Sequence, residues 1–135
     1  MNIEETSELK LDFQKLSKAA ASDAGLVPVA VQNADTKEVI LVAYTNELAF
    51  SKALETRSLV LWSTSRNELW EKGKTSGETF ELVEVRVNCE QNALLYRVRP
   101  RRGGICHTKN KKEQPRNCFY RKLNLKSEEL ENTDP

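Results

Sequence analysis

Apolar residues first recur at Leu9, Phe13, Leu16 and Ala20, close to a helical period, and Gly25 follows as a stop. The spacing therefore predicts an amphipathic helix over 8–21. After Gly25 the period shortens. Val27 to Gln32 and Glu38 to Tyr44 are β-branched runs separated by Asn33-Ala34-Asp35-Thr36-Lys37, a turn-forming segment, so the two read as a hairpin whose strands sit centrally in a sheet. Thr45 or Asn46 is placed to cap a short helix running to about Thr56, with Leu48, Ala49, Ala53 and Leu54 on its buried side. Ser58 to Ser63 returns as a strand. Thr64 to Glu78 is polar and contains two glycines, the pattern of a long functional loop. Strands are expected again over Thr79–Val87 and Ala93–Val98, and beyond Pro100 the pattern leaves regular structure undecided.

These elements describe an α+β class: one small domain over 1–135, with an antiparallel-rich sheet and flanking helices. The core is expected over about 11–121. A length of 135 residues with 39% hydrophobic positions suffices for one core and excludes a two-domain organisation. The longest apolar run, Val39 to Tyr44, is far short of the roughly 20 residues of a membrane-spanning helix. The N-terminus, MNIEETSELK, is acidic where an export signal would be basic and then apolar. A cytoplasmic location is the resulting expectation.

Net charge is +1, but its distribution is uneven. Eleven Lys/Arg fall between Arg97 and Lys126 against the single acid Glu113, a stretch suited to phosphate on a small molecule or a nucleic acid. Residues 127–135 reverse the sign through Glu128, Glu129, Glu131 and Asp134 and are expected to form a flexible, solvated tail.

An odd number of cysteines, Cys89, Cys106 and Cys118, argues against a disulfide framework in such a chain. The only histidine, His107, adjoins Cys106. Three thiolates can hold zinc and leave a fourth position for an activated water. The spacing matches no common finger pattern, so buried structural thiols are the competing reading. If Asn88-Cys89-Glu90-Gln91-Asn92 continues a strand, Asn88, Glu90 and Asn92 share one face and Cys89 the other. That face can offer oxygens to a hard cation, but with one carboxylate it is a poor magnesium site, and a polar turn is the alternative. Trp62, Ser63, Ser65, Arg66, Lys72, Lys74, Thr75 and Ser76 gather hydroxyls and cations around Gly73 and Gly77, a composition suited to a phosphate group. The order of a P-loop is absent, and an exposed polar hairpin would read the same way.

Several segments together, Gly25-Leu26-Val27-Pro28-Val29, Leu41-Val42-Ala43-Tyr44-Thr45-Asn46, Trp62-Ser63-Thr64-Ser65-Arg66, Leu69-Trp70-Glu71-Lys72-Gly73, Thr75-Ser76-Gly77, Cys106-His107-Thr108 and Cys118-Phe119-Tyr120, resemble the phosphoribosyl-AMP cyclohydrolase family of histidine biosynthesis. The resemblance covers about Leu11 to Arg121. It implies a cytoplasmic, zinc- and magnesium-using homodimer that opens the adenine ring of its substrate at the N1–C6 bond. It also implies zinc ligands at Cys89, contributed across the dimer interface, and at Cys106 and Cys118. Where the family carries three aspartates around the first cysteine, this chain has Asn88, Glu90 and Asn92, which puts magnesium in doubt. Lys109 replaces the glycine that follows the family's Cys-His-Thr, and the 107–117 loop is longer and more basic.

The implied chemistry is coherent. A ribosylated N1 makes the purine ring cationic and C6 electrophilic, so hydroxide adds at C6 and the tetrahedral centre collapses by breaking C6–N1. A zinc centre with three thiolates is a weak Lewis acid, and His107 is the imidazole available to act as catalytic base. The HxE signature of zinc deaminases is absent, since Thr108-Lys109 follow His107. Two alternatives stay open: a paralogous zinc hydrolase acting on another purine nucleotide, and a non-catalytic zinc or nucleic-acid binding module built on the basic stretch. The latter lacks the aromatic interleaving of single-strand binders.

Overall fold

The structure, a computed structural model, describes residues 5–9, 25–102, 109–114 and 116–135. Their elements follow the order β1 (Val27–Asn33), β2 (Val39–Thr45), α1 (Glu47–Thr56), β3 (Val60–Ser63), β4 (Glu68–Glu71), β5 (Phe80–Val87), β6 (Leu94–Pro100), β7 (Arg121–Leu123) and β8 (Leu130–Asn132). The first six strands form one sheet in the order β4-β3-β2-β1-β6-β5, and β7 and β8 form a separate ribbon. Only the β1–β6 pair is parallel within the six-stranded sheet. An α+β domain with an antiparallel-rich sheet is thus what the chain forms, and the first hairpin lies at the centre as the β-branched runs require. Apart from Glu8 and Leu9, the helix expected over 8–21 lies outside the described residues.

Alternation explains the central strands. In β1, Val29, Val31 and Asn33 point inward, and in β6 Tyr96 and Val98 do the same. β2 buries Ile40 and Leu41 in succession. Tyr96, Phe80, Ile40, Leu59 and Leu61 are the largest wholly buried apolar side chains, each worth roughly 1.5–3 kcal/mol relative to exposure. A bulge in β5 falls between Leu82 and Glu84, which leaves Val83 exposed and out of the two-residue rhythm.

Helix α1 begins where the sequence placed its cap: Asn46 Oδ1 accepts from the Ala49 amide at 2.9 Å, satisfying one otherwise orphaned donor. It ends at Arg57, a left-handed residue at φ 56° whose amide donates to Ala53 O. Its buried face is narrower than the apolar spacing implied. Ala49 and Ala53 pack inward, whereas Leu48 and Leu54 remain exposed, because the small side chains alone set the approach of the helix to the sheet.

Two further expectations are corrected. The polar segment 64–78 is not loop throughout, since Glu68–Glu71 forms β4 and pairs with β3 in full register. Its alternation of Glu68, Leu69, Trp70 and Glu71 spans only four residues, too short to outweigh the surrounding polar pattern. The acidic end is not a free tail either. β8 pairs with β7 and sets Glu131 opposite Lys122, so its negative charge faces positive charge of the preceding segment, an arrangement that favours pairing over solvation. Asn124 closes the connecting turn by accepting from the amides of Lys126 at 2.9 Å and Ser127 at 3.0 Å.

Candidate active site

The β3–β4 hairpin and the turn after it create a cavity of about 380 Å³ lined by Arg66, Lys72, Lys74, Thr75 and Ser76, together with Glu68, Leu69, Trp70, Glu71, Gly73 and Glu78. Five of the eight side chains expected to meet phosphate therefore converge. Trp62, Ser63 and Ser65 are not part of this lining. Trp62 stands in β3 between Tyr44 and Leu69, and the buried Ser63 hydroxyl is occupied locally, accepting from the Arg66 amide at 3.2 Å and lying 3.3 Å from Ser65 Oγ. Ser63 thus shapes the turn that presents Arg66.

Backbone conformation holds the cavity open. Gly73 adopts φ +82°, and a Cβ built there would lie 1.8 Å from the Glu78 carbonyl oxygen, so no other residue fits without moving the chain. The loop closes on itself through the Gly77 amide on Gly73 O at 2.7 Å and the Lys74 amide on Glu71 O at 3.2 Å. Within this frame the Lys72 ammonium sits 5.6 Å from the centre of the Trp70 ring, a cation–π contact that restricts a flexible side chain. Arg66 lies 3.5 Å from Glu68 across an exposed pair, weak enough to be exchanged for a better anion. Trp70, Leu69 and the three glutamates of the lining were not singled out for binding from sequence. Their signal was the β4 alternation, hidden in a polar window.

The basic stretch has a different fate. Arg97 reaches Glu84 at 2.9 Å and Ala34 O at 3.3 Å, and Arg99 forks onto Asp35 at 2.9 and 3.0 Å. Arg101 donates to Ser58 Oγ and to Arg57 O. Arg116, buried, stacks on the Tyr120 ring with its guanidinium carbon 3.7 Å from the centre and pairs with Glu5. The arginines beside Asp35 and Glu84 hold both carboxyls below their usual range: for Asp35 the Arg99 hydrogen bond leads, and for Glu84 the Arg86 hydrogen bond leads, followed by Arg97. Much of this positive charge therefore bolts the fold together instead of forming an open cationic surface.

Cys106 and His107 lie outside the described residues. Among the described residues no three His, Cys, Asp or Glu side chains gather as a metal-binding group. Cys89 and Cys118 are both exposed, which removes the buried-thiol reading for these two, since an inert cysteine is ordinarily packed away. A set of three thiolates suits zinc.

The segments that carry the two described thiols meet the sheet at different levels. Cys89 follows Val87, which is opposite Leu94, itself opposite Val29 near the start of β1. Cys118 follows Asn117, whose Nδ2 donates to Val39 O at 2.9 Å, and Val39 is opposite Gln32 near the end of β1. Three strand residues separate these levels, about 10 Å along the strands, whereas two sulfurs on one zinc lie roughly 4 Å apart. The backbone therefore leads to Cys89 and to Cys118 at different levels of the sheet.

Residues 88–92 are not a strand extension. β5 ends at Val87, and Asn88, Glu90 and Asn92 meet through a turn in which Gln91 takes φ 57°. The alternation that would have pointed Cys89 away from them does not apply. Gln91 also borders a second, more apolar cavity of about 520 Å³ with Val27, Thr45, Asn46, Phe50 and Val87; Val27, Thr45 and Asn46 fall in segments that carry the family resemblance, but the sequence marked none of them for binding.

Comparison with known proteins places these features in context. Residues 41–120, which include the hairpin cavity, match the family model described as PRA-CH: Phosphoribosyl-AMP cyclohydrolase. The chain is 46% identical over 101 residues to a phosphoribosyl-AMP cyclohydrolase of Archaeoglobus fulgidus, covering 75% of this chain and 88% of that protein. It is 41% identical over 120 residues to one of Hyphomonas neptunium, covering 89% and 81%. It is also 46% identical over 108 residues to the histidine biosynthesis bifunctional protein HisIE of Thermus thermophilus, covering 80% of this chain and 48% of that protein.

Proposed function

The chain belongs to the phosphoribosyl-AMP cyclohydrolase family, and we propose that it opens the adenine ring of phosphoribosyl-AMP by hydrolysing the N1–C6 bond in histidine biosynthesis. The observation that carries this reading is the convergence of Arg66, Lys72, Lys74, Thr75 and Ser76 on one cavity within the segment the family shares. A substrate phosphate entering there meets three cations, of which Lys72 is already restrained by the Trp70 ring, and hydroxyl donors on a turn that Gly73 keeps close. The Trp70 ring, by holding Lys72, reduces the entropy lost when that ammonium engages an anion.

Cys89, Cys106 and Cys118 are the residues that would hold zinc. Bound there, the metal supplies Lewis acidity that readies water as a nucleophile near neutral pH. The different sheet levels that lead to Cys89 and Cys118 in one chain favour a homodimer in which Cys89 completes its partner's set. His107, which adjoins Cys106 in the sequence, is the base that accepts the proton of the attacking water. The ring, cationic after ribosylation at N1, places its positive charge next to C6; addition there gives a tetrahedral carbon, and N1 departs with the electron pair of the C6–N1 bond. Chain folding and the absence of a helix long and apolar enough to cross a membrane among the described residues are compatible with a cytoplasmic enzyme.

An ultraviolet assay with phosphoribosyl-AMP tests the proposal directly. Turnover is expected for the purified protein, with Lys74→Ala raising KM by about tenfold while kcat changes less, because a charge-assisted contact to a non-reacting group contributes to binding. Intact phosphoribosyl-AMP after prolonged incubation, together with hydrolysis of another N1-substituted purine nucleotide, would assign the cavity to a paralogous reaction instead.

A further inference from the structure

The turn that presents Cys89 is held by a chain of hydrogen bonds whose direction the backbone dictates. Asn88 Oδ1 accepts from the amides of Asn92 and Ala93, both at 2.9 Å. Those two N–H groups fix which end of the Asn88 amide is oxygen, so its Nδ2 must face outward, where it donates to Asn92 Oδ1 at 2.6 Å. Asn92 Nδ2 in turn donates to Glu90 Oε2 at 3.3 Å. The main chain adds Asn88 N to Ala93 O at 3.2 Å and Gln91 N to Asn88 O at 3.0 Å.

We infer that the 88–92 turn is closed by its own amides in place of a cation, and that magnesium neither binds there nor stabilises the fold. A hard cation needs oxygen lone pairs directed at one point. Both lone pairs of Asn88 Oδ1 are already used by N–H donors, Asn92 Oδ1 accepts from Asn88, and Glu90 brings the only carboxylate. A cation entering this group has to break the bonds that shape the turn and gains one negative charge for doing so, in a region where every residue from 86 to 92 is exposed and water competes.

The same geometry states what aspartates would do. With Asp at 88 alone, the carboxylate still accepts from both backbone amides, and Asn92 can rotate its amide to donate to it, losing only the link to Glu90. With Asp at both 88 and 92 no side-chain donor is left, and three carboxylates face one another. Repulsion then loosens the turn until a divalent cation neutralises it. Asparagine and aspartate at these positions are thus two ways of holding one loop, the first indifferent to magnesium and the second dependent on it.

The test is a Mn²⁺ titration of the purified protein followed by the electron paramagnetic resonance signal of free Mn²⁺, with competition by Mg²⁺, alongside thermal unfolding with and without Mg²⁺. Wild type is expected to show no stoichiometric Mg²⁺-competed site tighter than about 0.1 mM and no shift in Tm. Asn88→Asp/Asn92→Asp is expected to bind Mn²⁺ at least about tenfold more tightly, to melt earlier without metal, and to recover its Tm with Mg²⁺. A wild-type site tighter than about 0.1 mM that disappears in Asn88→Ala overturns the inference, as does a double variant that folds and gains no affinity. If the double variant does not fold, the wild-type titration decides alone. None of these readouts needs turnover, so they stand or fall separately from the proposed reaction.

Discussion

Mixing two inactive variants provides the sharpest test of the placement of the thiols. Cys89→Ser and Cys118→Ser are each expected to lose zinc and activity when purified alone, since each removes one of three ligands from every site. Because the strand levels that lead to Cys89 and Cys118 differ by about 10 Å in one chain, a site that uses both is expected to take them from different protomers. A mixed dimer then carries one site with all its cysteines and one lacking two. If equal amounts of the variants are unfolded together and refolded, random pairing makes about half the dimers mixed, and one site in two of these is intact, so about one quarter of wild-type zinc and activity should return. Zinc is read by elemental analysis after gel filtration, and activity by the loss of phosphoribosyl-AMP. Recovery should be absent before unfolding and should follow subunit exchange in time. Refolded mixtures with no recovered zinc or activity, beside a wild-type control that recovers both, would refute the shared site, and full zinc in either single variant would refute the ligand assignment.

Other consequences of the geometry are equally open to measurement. Gly73→Ala should cost about 2 kcal/mol or more and raise KM, since the new Cβ meets the Glu78 carbonyl at a left-handed backbone position; an unchanged denaturation midpoint with unchanged KM would contradict the close approach. Tyr96→Phe should change stability by no more than about 1 kcal/mol, because the buried Tyr96 hydroxyl approaches Thr45 without forming a well-directed hydrogen bond; a loss beyond about 2 kcal/mol would show that the Thr45 contact is a full bond. Asp35 and Glu84 have folded pKa values below their ordinary ones, so their contribution is present above about pH 4 and fades as pH falls through the depressed values. Asp35→Asn/Glu84→Gln should flatten the fall in Tm on acidification, an effect that salt should weaken more at the exposed Asp35–Arg99 pair than at Glu84, whose partner Arg97 is half-buried; an unaltered acid slope would remove these pairs as its cause.

What was legible in the chain was whatever local chemistry decides. Asn46 caps α1 because an Asn before an apolar-spaced run offers an acceptor to the third amide; β1 and β5 announce themselves through β-branched residues at alternate positions, and β2 and β6 through short apolar runs. The hairpin cavity was legible in part, since Lys72 to Ser76 are sequential and one glycine holds them together. Pairing decisions were not legible. Glu68–Glu71 becomes a strand only because β3 leaves it an edge to join, and Leu130–Asn132 becomes one because the basic strand β7 precedes it. Asn88 and Asn92 read as positions on a strand face, and only the turn reveals that one amide feeds the other.

Charge illustrates why composition is a poor guide to the binding surface of this molecule. The segment after Arg97 holds an excess of cations that suggested phosphate as strongly as the hairpin did, yet Arg97, Arg99 and Arg116 find carboxylates on distant parts of the chain, and Arg101 is taken up by Ser58 and a helix-end carbonyl. Arg116, which donates to the Asp134 carbonyl and stacks on Tyr120, gives up those contacts if it turns to a ligand, so phosphate binding there would be opposed by the loss of fold stability. Lys72 bears no such cost: its aromatic partner lies in the cavity wall itself, and the ammonium can keep the ring while it meets an anion. The smaller hairpin cluster is therefore the better candidate for phosphate, since Lys72 keeps its ring contact and Arg66 has only an exposed pair with Glu68 to exchange.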